Sequence, residues 1–373
     1  MIGITRSARP TNREIPRQFL KDLAIVSGMG QTGSFGGSTW NYALPEMMLP
    51  PKRTRFGRKV RASVLSLIYG MMKSGLDAAG VYSRLHDRVM FDDRRNGATT
   101  LVCMLAGYKP ELWRFVMPRF RAALPKADIC IVSPGLRRDD LADLCRREGW
   151  SYLSTATNDV ALAQNVCYRL HDRAQMIVKL DEDMFLLPDT ITGLLAEYHD
   201  IKAEGVVDPS FVAPMIPLNG FCYRYLLEML NLLDDYEAVF GRAQLATSGL
   251  AIHTDPAAAR WIWERTAPLA ETAARLNSLE RRVLLCPIQF SIGLIAFERR
   301  FWEQMGYFLV HRHRLLAGLS TLGGDEAYMC ARAVELSRPA VVTTAVLAGH
   351  FSFGPQYAGL KALLDEQPEL FSA

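Results

Sequence analysis

From Thr99 onward the chain alternates short apolar runs with helix-like stretches, and this alternation limits the fold more than any other feature. Leu101-Val102-Cys103-Met104-Leu105 is a buried run that ends in Ala106-Gly107-Tyr108. Residues 110–124 read as a helix, 128–132 as a strand closed by Ser133-Pro134-Gly135, and 139–148 as a second helix. Tyr152-Leu153 is a third short strand, and Asn158 or Asp159 caps a helix carrying Ala161, Ala163, Val166 and Leu170. Residues 175–180 form the fourth strand, and Pro188 opens another helix in its first turn, where proline is tolerated. Strand and helix in turn, with short loops, imply a parallel sheet covered on both faces. Ligands of such sheets collect at the carboxyl ends of the strands.

The second half is less regular. Residues 211–217 read as a strand leading to Asn219-Gly220, and 256–279 as helical and mostly surface-like. Strands are expected over 292–297 and 340–347, and helices over 300–305 and 325–336. Hydrophobic content of 49% in 373 residues excludes disorder over most of the length. Seven scattered cysteines without a Cys-x-x-Cys pair fit reduced thiols in a cytoplasmic protein. No secretory signal or membrane span is expected, because no apolar run is long enough.

Charge is unevenly placed. Residues 1–97 hold 16 Lys/Arg against 7 Asp/Glu, although the whole chain is only +4. This quarter reads as an irregular arm to about residue 56, then a basic amphipathic helix over 58–85. The helix suits docking on the main domain or leaning on an anionic membrane surface. The arm is of a kind that wraps a neighbouring copy in a homo-oligomer. No nucleic-acid partner is expected.

The fourth strand runs directly into Asp181-Glu182-Asp183. Unpaired buried carboxylates cost several kcal/mol, so three in a row at a strand end call for a cation. In extended backbone Asp181 and Asp183 point to one side and Glu182 to the other. Two carboxylates so placed suit a hard divalent ion, Mn2+ or Mg2+, which also takes phosphate and water.

Leu180-Asp181-Glu182-Asp183, an apolar residue and a proline-started helix together resemble the Asp-x-Asp motif of GT-A-type glycosyltransferases, in particular their family 2-like inverting members. The resemblance covers about residues 99–356 as a series of weak motifs. It implies a GT-A-like α/β fold: a mostly parallel, Rossmann-like sheet with helices on both faces, here with an N-terminal irregular and helical extension. It implies a nucleotide-sugar-binding half over 98–220 and an acceptor-binding half over 221–373, after the extension at 1–97. The nucleotide-sugar pocket would then draw on Ala106, Gly107, Tyr108, Ser133, Asn158, Asn165, Lys179, Asp181, Glu182 and Asp183. By the same resemblance Asp183 ligates the metal, Asp181 faces the ribose or the metal, and Glu182 is the variable middle position.

Two later segments extend the match. Gly323-Gly324-Asp325-Glu326 opens a helix where inverting members carry paired acids. A sugar hydroxyl is a poor nucleophile and needs a carboxylate to receive its proton. The match favours Glu326 as that base with Asp325 beside it, though the order of the two acids is the reverse of the common one. His350, after the last strand, matches a C-terminal metal ligand of the family. Arg300 and Trp302 resemble a donor-sugar or acceptor segment, and Asn219-Gly220 is a further acceptor candidate. His311-Arg312-His313-Arg314 reads as a basic loop that could meet phosphate.

Gly28-Met29-Gly30-Gln31-Thr32-Gly33 spells a dinucleotide fingerprint after an apolar run, but Ser34 to Pro51 leaves no helix to receive a pyrophosphate. The expected activity is therefore metal-dependent sugar transfer from a nucleoside-diphosphate sugar to a hydroxyl acceptor, a surface glycan or lipid-linked oligosaccharide. The expected place is the cytoplasm, or the inner face of its membrane. The alternatives are a sugar-phosphate nucleotidyltransferase, and a non-catalytic scaffold of the same fold. The first needs a Gly-rich, basic phosphate loop, and Ala106-Gly107-Tyr108-Lys109 is not one.

Overall fold

A computed structural model describes residues 89–308 and 324–372. The arm, the basic helix, the glycine motif and His311-Arg312-His313-Arg314 lie outside these residues. From Met90 on, the described residues fall in one compact unit.

The first half runs β1 (Val89–Asp92), β2 (Thr100–Leu105), α1 (Trp113–Ala123), β3 (Asp128–Pro134), α2 (Asp139–Glu148), β4 (Ser151–Thr155), α3 (Val160–Leu170) and β5 (Met176–Asp181). A two-residue strand β6 (Met184–Phe185), α4 (Thr190–Glu204) and β7 (Phe211–Met215) follow. The chain then leaves the sheet for α5 (Cys222–Met229), α6 (Leu233–Phe240), α7 (Ala251–Thr254), α8 (Pro256–Thr266) and α9 (Leu269–Asn277). It returns through β8 (Val283–Cys286), β9 (Leu294–Glu298), α10 (Arg299–Gln304), α11 (Gly324–Glu335), β10 (Ala340–Leu347), β11 (Gly349–His350) and α12 (Gly354–Glu366).

Among the described residues nine strands form one sheet in the order β1-β4-β3-β2-β5-β9-β7-β10-β8. Strands β2, β3, β4 and β5 pair in parallel, as do β7 and β10. Leu101, Val102, Cys103 and Met104 have no exposed surface, so β2 is covered on both faces. The fold is thus α/β with a mostly parallel sheet. Asp159, not Asn158, caps α3 by accepting from Leu162 N at 2.9 Å.

The structure differs from the sequence reading in two places. Strand β9 is antiparallel to β5 and β7, and β8 is antiparallel to β10. Strand direction depends on which edge the chain re-enters, and apolar runs carry no sign of that. Next, helix 256–279 is two helices broken before Pro268; most of its residues keep exposed surface, as expected, but one face of each helix is buried. Trp263 is fully buried and stacks on Phe371 at 5.0 Å. Strand β7, before residue 220, pairs with both β9 and β10, after it, so the two segments share one sheet.

These directions bring the carboxyl ends of β2, β3, β5, β7 and β10 to one edge, together with the start of β9. Between Val342 and Leu347 the β10 register slips against Ala213 and Met215. Such a bulge lets the strand end be re-aimed. Here it leads into β11, which pairs with β6 and sets His350 opposite Met184.

Candidate metal and acid site

The three acids sit in the turn from β5 to β6, and each finds a partner within the chain. Lys179, two residues before Asp181 on the same face of β5, donates to Asp181 Oδ1 at 2.8 Å and to Ile292 O at 2.7 Å. Glu182 faces the loop after β2. Its carboxylate accepts from Gly107 N at 2.9 Å, Tyr108 N at 2.7 Å, Lys109 N at 3.0 Å and Trp113 Nε1 at 2.6 Å. Asp183, 2% exposed, accepts from Lys109 Nζ on Oδ2 and lies 3.3 Å from His350 Nε2 through Oδ1. Two lysines, an imidazole and four N–H groups thus satisfy the triplet.

The electrostatics follow from these contacts. Burial pushes the Asp183 carboxyl up, but His350 and Lys109 more than reverse this and hold it well below the usual carboxylate range. Burial raises Asp181, with Lys179 opposing. Burial alone would lower Lys179, yet Asp181, Asp325 and Glu326 outweigh it and keep the ammonium above its ordinary value. Burial raises Glu182 despite its donors.

Asp181, Asp183 and His350 each offer a ligand atom, and these atoms lie within 4.8 Å of one another. Metal–oxygen bonds of about 2.1 Å place ligand atoms at most roughly 4.2 Å apart, so a small inward movement closes the set. Two carboxylates and an imidazole suit Mn2+ better than Mg2+. The donor set fits a divalent ion.

Asp325 and Glu326, in the first turn of α11, belong to the same edge. Asp325 Oδ2 accepts from Gln164 Nε2 at 2.9 Å, and Gln164 is itself fully buried on α3. Glu326 Oε1 accepts from Ser291 Oγ at 3.2 Å. Burial, then Asp325, push Glu326 up to about 7, with Lys179 opposing. The segment Ser291-Ile292-Gly293 joins the parts: Ser291 meets Glu326, Ile292 O meets Lys179, and Gly293 O accepts from Asp181 N at 2.9 Å. A Cβ on Gly293 would stand 3.2 Å from Met184 Sδ and 3.3 Å from His350 Cε1, so glycine lets the backbone approach the site.

The other candidates separate by the edge they occupy. Ala106, Gly107 and Tyr108 line the carboxyl edge; Tyr108 is 51% exposed, and Gly107 has φ +135°. Ser133 is fully buried at the end of β3, where the Gly107 Cβ position lies 3.4 Å from its Oγ. Asn158 is exposed and packs under Gly135. Asn219 turns inward, and its Oδ1 accepts from Phe221 N at 2.9 Å and Cys222 N at 3.2 Å. Gly220 is crowded, with its Cβ position 2.0 Å from Ala246 O.

Four assignments are corrected by geometry. Glu182 has its oxygens taken by Gly107 N, Tyr108 N, Lys109 N and Trp113 Nε1, so it holds the loop after β2 rather than a ligand. Asn165 is fully buried and accepts from Trp302 Nε1 and Phe308 N, both at 3.0 Å. Trp302 is therefore core. Arg300 lies past the end of β9, whose Glu298 pairs with Met176 at the start of β5. Five residues of strand, roughly 16 Å, separate that end from Asp181. Arg300 instead meets Glu298 and Asp208 there.

Lys109, Gln164, Ser291, Gly293 and Ser352 were not singled out from sequence. Only Gly293 left a trace, as a glycine inside a strand-like run. Cys130, Cys167 and His171 form a second group of close ligand atoms, but it lies in the core between β3 and α3. Burial pushes both thiols up, and His171 Nδ1 lies 2.9 Å from Cys167 O. All seven cysteines are free thiols. Among the described residues no helix is long and apolar enough to cross a membrane.

No family model matches the chain, and no curated protein matches it in sequence. Among solved structures it is similar to the mannosyltransferase PcManGT from Pyrobaculum calidifontis in complex with GDP-Man and Mn2+, at 14% identity and a TM-score of 0.40. That match covers 69% of this chain and 58% of the mannosyltransferase, less than two-thirds of its length. The chain is also similar to a CMP:2-keto-3-deoxy-manno-octonic acid synthetase complexed with CTP, at 11% identity and a TM-score of 0.37. That match covers 73% of this chain and 99% of the synthetase. Identity at this level assigns no residue a role.

Proposed function

We propose that this protein is a divalent-metal-dependent glycosyltransferase that moves a sugar from a nucleoside-diphosphate sugar to a hydroxyl acceptor, with inversion. The observation that carries this reading is the convergence of Asp181, Asp183 and His350 at a sheet edge that also holds Glu326, pushed up to about 7. An ion held by the first three would neutralise charge gathering on the leaving nucleoside diphosphate. Glu182 fixes the loop after β2 through its N–H groups, so the exposed face of Tyr108 is presented in one place. Glu326 receives the proton of the acceptor hydroxyl as that oxygen attacks the sugar carbon. A base near 7 is matched to this task at neutral pH. Asp325, anchored by Gln164, keeps Glu326 raised. The acceptor in this reading is a growing glycan or a lipid-linked oligosaccharide, met on the cytoplasmic side.

The test is incubation with Mn2+ and a set of nucleoside-diphosphate sugars, reading release of nucleoside diphosphate and the rise in melting midpoint. A ligand that binds only the native state raises the midpoint according to its affinity. Wild type should release nucleoside diphosphate in an Mn2+-dependent way, and Asp183→Ala should not. Pyrophosphate release from nucleoside triphosphate and sugar phosphate would instead mark a nucleotidyltransferase and overturn the reading.

A further inference from the structure

We propose that Lys109 is a resident counter-cation: its ammonium and a divalent ion are alternative partners of Asp183. The inference rests on the transferase reading of this site and adds a regulatory element to it. Lys109 Nζ donates to Asp183 Oδ2 and to Ser352 O, and stands 5.8 Å from the centroid of the Tyr357 ring. Three separate elements therefore build its seat: the β5–β6 turn, the segment after β11, and α12. The root of the residue is fixed as well, because Lys109 N donates to Glu182 Oε1 at 3.0 Å. One acid of the triplet thus holds the lysine's backbone, and the next holds its tip.

The seat shows signs of construction. Ser352 has φ +65°, a conformation uncommon for a residue with a Cβ, and it aims its carbonyl at the ammonium. That turn is locked by Ser352 Oγ donating to Gln356 Oε1, while Gln356 Nε2 donates to Leu218 O at 3.0 Å. Phe351 N donates to Asp183 O at 3.1 Å, tying the same segment to the acid turn. With His350 on Oδ1 and Lys109 on Oδ2, a divalent ion taken by Asp183 would have to share the carboxylate with an ammonium already held on it, and the two positive charges oppose each other. His350 can stay as a ligand. Lys109 cannot, because an ammonium has no acceptor. Its four-carbon stem lets the tip swing while the backbone stays pinned. Once displaced, the ammonium remains on the carboxyl-edge loop, where a donor diphosphate would meet it.

The test uses the full chain and Mn2+ alone, followed through the signal of free Mn2+. Lys109→Met keeps the stem and removes the charge, and should bind Mn2+ about tenfold more tightly than wild type. Lys109→Arg keeps the charge and should gain nothing. With Mn2+ present, Lys109→Met should bind inorganic pyrophosphate about tenfold more weakly. A wild-type measurement stands beside the variants: trace acetylation mapped by mass spectrometry should label Lys109 faster when Mn2+ is saturating. Equal Mn2+ affinity in wild type and Lys109→Met, or labelling indifferent to Mn2+, overturns the competition and leaves the transferase reading in place. No Mn2+ binding in either protein overturns both.

Discussion

Replacing Glu326 with Gln tests the catalytic edge by stability as well as by rate. Burial and Asp325 push this carboxyl from an ordinary 4.5 to about 7. The folded protein therefore keeps a proton that the unfolded chain has already released. Stability from this group is fully present below about 4.5 and is lost as pH rises through about 7. At about 1.4 kcal/mol per pKa unit, the ionised Glu326 costs the native state at most about 3 kcal/mol at pH 8.5. Gln keeps the size and the contact with Ser291 but cannot ionise. Denaturant unfolding of both proteins should coincide near pH 4.5, with the variant progressively more stable up to pH 8.5. Transfer should move the other way. It should rise with pH through about 7 in wild type, and the variant should lose about 10²–10⁴-fold. A stability difference that stays flat from pH 5 to 8.5 would refute the reasoning, because Glu326 would then not be titrating near 7.

Three further outcomes follow from the contacts. Asp183→Asn leaves Lys109 and His350 facing each other without an anion and should cost about 3 kcal/mol in urea unfolding at pH 7; it should also abolish any Mn2+-dependent rise in melting midpoint. Glu182→Gln weakens the acceptor for Gly107, Tyr108, Lys109 and Trp113, so stability should fall by about 1–3 kcal/mol and donor KM should rise more than kcat falls, as steady-state kinetics would show. Gly359→Ala places a Cβ 2.2 Å from Pro256 O between α12 and α8, and should destabilise by about 1–3 kcal/mol while activity per folded molecule, from active-site titration, holds.

The alternation of apolar and amphipathic segments after Thr99 was enough to place β2 to β5 and their helices, because each such segment has one way to bury its face. The same local pattern put Asp181-Glu182-Asp183 at a strand end and Asp325-Glu326 at a helix start. Their partners were not legible. Lys109 meets Asp183 across 74 residues, Gln164 meets Asp325 across 161, and Lys109 reaches Ser352 across 243. No period or motif links such positions; they meet because parallel strands end at one edge. The direction of β9 decided as much. Run antiparallel, it brings Gly293 to Asp181 and carries Arg300 to the far edge, away from the sugar or acceptor contact that the family resemblance implied. Glu182 reversed its apparent weight for the same reason. In sequence it is the acid between two ligands, and in the folded chain it is the one that holds the loop. Sequence set which elements form, since that depends on neighbours three or four residues away; tertiary structure alone set which charges face one another, since that depends on where distant strands end.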